Sequence, residues 1–219
     1  MRVKVCGVTR EADLRAVAAA GADAVGVVTD VTVDTPREVP PERAGELLDA
    51  APPFLSTAAV TMPETPAAAA DVAERTGADH LQVHGLSDPD DVAAMRDAVR
   101  ARLVVAVGAA DPATARAVAP AADGLLVDSA TESGGGGTGE THDWAATREL
   151  AADLDTPVVL AGGLDPENVA TAVRTVDPYG VDVASGVERS GGVKDHDAVD
   201  TFVREARRAG DARGREVSP

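Results

Sequence analysis

The chain holds a single cysteine, Cys6, near the end of an apolar run, Val3–Val8, that reads as a strand. A thiol there is either a small buried hydrophobe or, with a depressed pKa, a base or nucleophile. Asp128 closes a second apolar run, Leu125-Leu126-Val127-Asp128. A carboxylate costs free energy to bury in such a place. It is either a loop acid or helix cap, or a general acid whose pKa burial raises. Gly162-Gly163 and Ser185-Gly186 follow two later runs. Glycines let backbone N–H groups approach an anion, and a following helix N-terminus favours negative charge. Both pairs together point to a phosphorylated ligand. Arg37, in Asp34-Thr35-Pro36-Arg37, is either a solvated charge or a guanidinium fork for a carboxylate. His80 and His84 flank a short run four residues apart. Zinc would need further ligands, and no Cys/His cluster supplies them, so no metal is expected. A hydrogen bond at a strand end is the expected role of His84.

These groups meet only if a fold brings many strand ends to one face. Short β-branched runs recur at Val3–Val8, Ala24–Val28, Leu55–Thr61, His80–Val83, Leu103–Val107, Gly124–Asp128, Pro157–Ala161 and Val181–Val183. Near-continuous apolar runs of this kind read as buried parallel strands. Helical stretches alternate with them: Glu11–Ala20, Pro41–Ala50, Thr65–Thr76, Asp88–Arg100, one opening at Asp111-Pro112, Asp143–Asp153, one opening at Asp165-Pro166, and Asp195–Ala209. The repeated Asp-Pro is an N-cap followed by proline at the first helical position. Strict alternation of eight strands and eight helices is the pattern of a barrel, and a doubly wound open sheet shares it. In a barrel, catalytic groups sit at the C-terminal strand ends, and phosphate commonly sits in loops seven and eight.

At 219 residues the chain suits one such barrel, expected over 1–209, with a polar tail over 210–219. Aromatics make up only 2%, so Val, Ala and Leu must fill the core, and a stacking surface for bases is not expected. The net charge of −17 repels nucleic acid and anionic lipid. Lysine occurs only at Lys4 and Lys194; every other basic residue is arginine. Acid excess with so little lysine points to a high-salt cytoplasm, where self-repulsion is screened. No stretch is long and apolar enough for a membrane span or a signal peptide, and a lone cysteine makes no internal disulfide. The glycine-rich Ser133–Gly139 is either a linker or a substrate-edge lid. The sequence leaves monomer and homodimer open.

Several stretches together resemble the phosphoribosylanthranilate isomerase family. They are Lys4-Val5-Cys6-Gly7-Val8-Thr9, Leu81-Gln82-Val83-His84-Gly85, Leu126-Val127-Asp128-Ser129, Gly136-Gly137-Thr138-Gly139 leading to Asp143-Trp144, Ala161 through Val169, and Val181 through Glu188 with Lys194-Asp195. They run in family order over nearly the whole chain. The resemblance implies an α/β fold, a single (β/α)8 TIM barrel, and an Amadori rearrangement that needs no cofactor. Asp128 would protonate the ribose ring oxygen, and Cys6 would remove the C2′ proton from the resulting Schiff base. Arg37 would hold the anthranilate carboxylate, with His84 and Asp182 as supporting groups. Gly162, Gly163, Ser185 and Gly186 would hold the phosphate. Three positions depart from the family: Val105 on strand five and Glu140 after the glycine loop stand where lysine is frequent, and Val193 stands where a basic residue is frequent.

Other phosphate-binding barrels compete, among them the tryptophan synthase α-subunit. An indole-glycerol-phosphate synthase relies on lysines that this chain almost lacks. A ribulose-phosphate epimerase wants Asp and His around a metal. A Schiff-base aldolase would have only Lys4 or Lys194. A non-catalytic binding barrel would tolerate substitution at Cys6 and Asp128.

Overall fold

The computed structural model describes residues 1–128 and 144–216, with side chains to 212. The Ser133–Gly139 segment and Glu140 lie outside the described residues.

Eight parallel strands close into a barrel in sequence order: β1 (Arg2–Val5), β2 (Ala24–Val28), β3 (Ser56–Thr61), β4 (His80–Val83), β5 (Arg102–Gly108), β6 (Gly124–Asp128), β7 (Val158–Leu160) and β8 (Gly180–Val183). The intervening helices are α1 (Glu11–Ala19), α2 (Pro41–Asp49), α3 (Pro66–Thr76), α4 (Pro89–Ala98), α5 (Pro112–Val118), α6 (Trp144–Asp153) and α7 (Val169–Val176); α8 (His196–Glu216) follows β8. Of the barrel and the open sheet, the chain takes the barrel, because β1 pairs with both β2 and β8.

The caps follow the expected chemistry. Thr65 Oγ1 accepts from Ala68 N at 3.1 Å, Asp88 Oδ1 from Asp90 N at 2.8 Å, and Asp111 Oδ1 from Thr114 N at 3.0 Å. Asp165 differs. Its Oδ1 accepts from the backbone of Glu167 and Asn168 at 2.8 and 2.9 Å, and this turn delays α7 to Val169. At the chain end, α8 runs past the Ala209 boundary expected from the sequence. Gly210 does not stop it. A Cβ there would stand 2.6 Å from Met1 Cβ, so this glycine admits the first residue against the helix.

Alternate strand residues split between two environments. Val3, Val5, Val25, Val27, Leu81, Val83, Val105, Leu125, Val127 and Val183 join the apolar cluster beneath the helices. The other set points into the barrel, and it is not the apolar filling expected. It includes Lys4, Gly26, Ala58, Gln82, Leu126 and Asp182. Cavities at opposite ends of the barrel are both lined by Gln82 and Leu126. The strand runs looked continuously apolar because the helix-facing set dominates them.

Between β8 and α8 lies a hairpin that the sequence did not announce, β9 (Glu188–Ser190) and β10 (Val193–Lys194). Among the described residues, no helix is long and apolar enough to cross a membrane.

Candidate active site

A cavity of about 500 Å³ opens at the C-terminal ends of the strands. Cys6, Arg37, His84, Asp128, Gly162, Gly163, Asp182 and Ser185 all line it. The fold therefore gathers the sequence candidates on one wall-to-wall site, with one exception. Gly186 sits behind the wall. A Cβ on it would lie 1.9 Å from the Leu164 carbonyl oxygen, so loops seven and eight touch only because this residue has no side chain.

Cys6 follows β1 and extends its pairing with β8, donating N–H to the Val183 carbonyl at 2.8 Å. Its side chain is buried. Burial pushes the thiol pKa up and Asp182 adds to this, while Lys4 and Lys194 pull it back. Lys4 and Asp182 are register partners on adjacent strands and both face inward. Lys4 Nζ donates to Asp182 Oδ1 at 3.0 Å. Burial raises the Asp182 carboxyl pKa, against the pull of Lys4.

Asp128 ends β6 and is half-buried on the cavity wall. The Gln82 amide donates to His84 Nε2 at 3.1 Å, which places the imidazole proton on Nδ1. Burial pushes the His84 pKa below its ordinary value; Asp128 opposes this and Lys4 reinforces it. His84 is thus a neutral donor at the mouth. His80, two residue pairs down the same face, opens into the other cavity and faces the Thr57 carbonyl at 3.3 Å. The two histidines therefore form no metal pair. Among the described residues, no group of three His, Cys, Asp or Glu side chains is arranged to hold a metal ion.

Arg37 lies in the loop after β2, with its stem across Gly7. Its guanidinium meets Glu188 of the hairpin at 3.0 and 2.8 Å. Glu188 also accepts from Lys194 Nζ at 2.7 Å, and the same ammonium donates to the Ala184 carbonyl at 3.0 Å. Burial alone would raise the Glu188 pKa, but the two cations hold it below the usual carboxylate range. Burial lowers that of Lys194, against Glu188. Two cations around one carboxylate leave one positive charge in excess beside the cavity, which favours an anionic ligand. Sequence reasoning missed Glu188 and Lys194 as a support for Arg37. The signal was available, since Lys194 is one of two lysines in the chain.

The phosphate candidates other than Gly186 line the same cavity next to this cluster, since Lys194 bonds the residue before Ser185. Gly162 and Gly163 line the cavity with φ of 83° and 63°, a left-handed pair that glycine adopts without strain. Asn168 Nδ2 fixes this turn by donating to the Gly163 carbonyl at 2.8 Å. Ser185 opens a short 3-10 turn, Ser185–Val187. The strand-five departure proves irrelevant to the site. Val105 faces the helices, and Ala106 takes the inward position.

The sequence family described as N-(5′phosphoribosyl)anthranilate (PRA) isomerase matches residues 3–205. An N-(5′-phosphoribosyl)anthranilate isomerase of Haloferax volcanii, a halophilic archaeon, is 62% identical over 208 residues, 95% of this chain and 94% of the relative. A crystal structure of a phosphoribosyl anthranilate isomerase in complex with reduced 1-(o-carboxyphenylamino)-1-deoxyribulose 5-phosphate superposes with a TM-score of 0.80 at 31% identity, covering 94% of this chain and 98% of that one. Monomers generated from the dimeric enzyme of Thermotoga maritima match with a TM-score of 0.81 at 30% identity, over 94% and 98% of the two chains.

Proposed function

The chain belongs to the N-(5′-phosphoribosyl)anthranilate isomerase family, and from that premise we propose that Cys6 and Asp128 are the base and the acid of its reaction. The enzyme converts N-(5-phosphoribosyl)anthranilate to 1-(2-carboxyphenylamino)-1-deoxyribulose 5-phosphate by an Amadori rearrangement, a step of L-tryptophan biosynthesis. The observation that supports the residue roles is that Cys6 and Asp128 line one cavity together with Arg37, Gly162, Gly163 and Ser185.

Asp128 gives a proton to the ribose ring oxygen as the C1′–O bond breaks, and the anthranilate nitrogen lone pair forms the C1′=N bond. The imine acidifies C2′–H. The Cys6 thiolate takes that proton, and the C–H electron pair becomes the C1′=C2′ bond of an enol, which tautomerises to the ketone. Arg37 holds the anthranilate carboxylate. His84 donates from Nδ1, and Asp182 holds the Lys4 ammonium in place. Backbone groups of Gly162, Gly163 and Ser185 hold the phosphate, and Gly186, expected among them, serves by letting loop eight pack on loop seven.

The test is the loss of phosphoribosylanthranilate fluorescence in high-salt buffer, with freshly made substrate. Cys6→Ser and Asp128→Asn are each expected to slow turnover by roughly a hundredfold or more, with circular dichroism unchanged. Near-normal turnover in both variants would leave the non-catalytic binding barrel as the better reading.

For assembly we assign the homodimer over the monomer. One structural relative is dimeric. Phe54 and Tyr179 are the large apolar side chains left exposed among the described residues, and both rim the second cavity at the N-terminal end of the barrel. The proposed compartment is the cytoplasm. The acidic charge and lone cysteine support this, as well as the absence of nucleic-acid or membrane partners.

A further inference from the structure

Among 20 basic residues only two are lysines, and both are largely withdrawn from solvent. The Lys194 side chain is 0% exposed and that of Lys4 13%. In a chain that uses arginine everywhere else, one ammonium is bonded to Asp182 inside the barrel and the other to Glu188 and the Ala184 carbonyl beside it, and both act on Cys6.

We propose that Lys4 is the positioning residue that makes Cys6 a base, by sharing one ammonium between the Asp182 carboxylate and the Cys6 sulfur. Gly26 on β2 defines the space. A Cβ there would collide at 2.9 Å with Cys6 Sγ and at 3.1 Å with Lys4 Nζ, so both polar atoms pack together over this glycine. On its other side Lys4 holds Asp182 at 3.0 Å. A planar guanidinium is broader than the space Lys4 fills between Asp182 and Gly26, and a point charge on a slender stem suits it.

The arrangement suits a base that changes charge during turnover. A buried thiol resists ionisation, and an adjacent cation offsets that resistance. Once Cys6 has taken the C2′ proton, the ammonium keeps Asp182 as its partner, so no bare charge stays buried. The other charged or titratable groups facing this space are Lys194 from the hairpin, Asp128 from β6, His84 beyond β4 and Arg37 over Gly7.

This inference rests on Cys6 as the base, and its test separates the two. Cys6 is the only thiol, so iodoacetamide reports on it alone. The quantity to measure is the alkylation rate against pH, read by mass spectrometry on the full chain in high salt without substrate. Lys4→Met is expected to move the midpoint upward and slow alkylation near neutral pH about tenfold, one pKa unit. Asp182 then takes up a proton and loses its own repulsion. The shift stays upward because Lys4 weighs more on the sulfur than Asp182 does. Asp182→Asn frees the ammonium for Cys6, and the midpoint is expected to move downward. Opposite signs are the signature, since a merely structural role gives no shift or the same shift twice. An unmoved midpoint in Lys4→Met, or equal signs, overturns the proposal. If Lys4→Met does not fold, Asp182→Asn decides alone: a downward shift sustains it, and any other result overturns it. Opposite shifts combined with normal turnover in Cys6→Ser would keep the Lys4 coupling and remove the base assignment.

Discussion

Arg37 meets Glu188 side-on, through Nε at 3.0 Å and Nη2 at 2.8 Å. This geometry consumes two of its five N–H donors and leaves the Nη1/Nη2 edge for a second carboxylate. A residue already in an ion pair can therefore still receive an anthranilate. Glu188 fixes the plane of the guanidinium before substrate arrives.

Glu188→Gln removes that constraint and leaves Arg37 and Lys194 facing each other without a carboxylate. The expected outcome is a KM raised about tenfold, roughly 1.4 kcal/mol, with kcat little changed, because the contact is made equally in ground and transition states. Steady-state fluorescence kinetics read the split. An unchanged KM would mean that Arg37 is held in place without Glu188.

Gly186→Ala places a methyl group where the Leu164 carbonyl now sits. Loops seven and eight must part, and displacement of about 1 Å at a binding loop costs on the order of a hundredfold in rate. Inhibition by inorganic phosphate is expected to weaken along with kcat/KM. Retained phosphate inhibition would place the phosphate elsewhere.

Asp13 is fully buried at the start of α1, where Arg10, His196 Nε2 at 2.8 Å and the Lys194 N–H at 3.2 Å converge on its carboxylate. Burial would raise its pKa, but these bonds outweigh burial and depress it. A depressed folded-state pKa means stability that is present above the ordinary carboxylate range and lost as pH falls through and below it. Asp13→Asn should cost about 1–3 kcal/mol near neutral pH. The gap between the two denaturant midpoints should close on acidification. A gap that stays constant with pH would remove the charge from the explanation.

The net charge of −17 is spread over the surface, so dilute buffer is expected to unfold the chain and molar salt to restore it. Circular dichroism across a salt titration reads this. Full ellipticity in dilute buffer would show that cohesion in the core outweighs the repulsion.

Phe54 is 104% exposed with φ of 72°, an uncommon conformation for a bulky residue. Phe54→Asp is expected to halve the mass seen by light scattering at fixed concentration. An unaltered mass would locate the contact on another face.

The barrel was legible because each β-branched run and each Asp-Pro cap is local chemistry. Its polar interior was not. Lys4, Gln82 and Asp182 are isolated interruptions in apolar runs, and only closure of β1 onto β8 turns two of them into neighbours. Cys6, Asp128 and the glycine loops could be found from strand ends alone. Arg37 could be found, but its pairing with Glu188 was marked only by the rarity of Lys194, because 151 residues separate the two and the hairpin that carries Glu188 has no apolar period. The α8 helix outran its expected Ala209 boundary into the polar stretch, where Gly210 admits Met1 against the helix.

The burial of both lysines has a practical corollary. In the folded chain an amine-directed reagent finds Lys194 closed off and Lys4, its ammonium held by Asp182, only marginally open, and unfolding uncovers both. Lysine acylation thus becomes a chemical clock for opening of the barrel mouth, and the order in which the two sites react tells whether β1 or the hairpin lets go first.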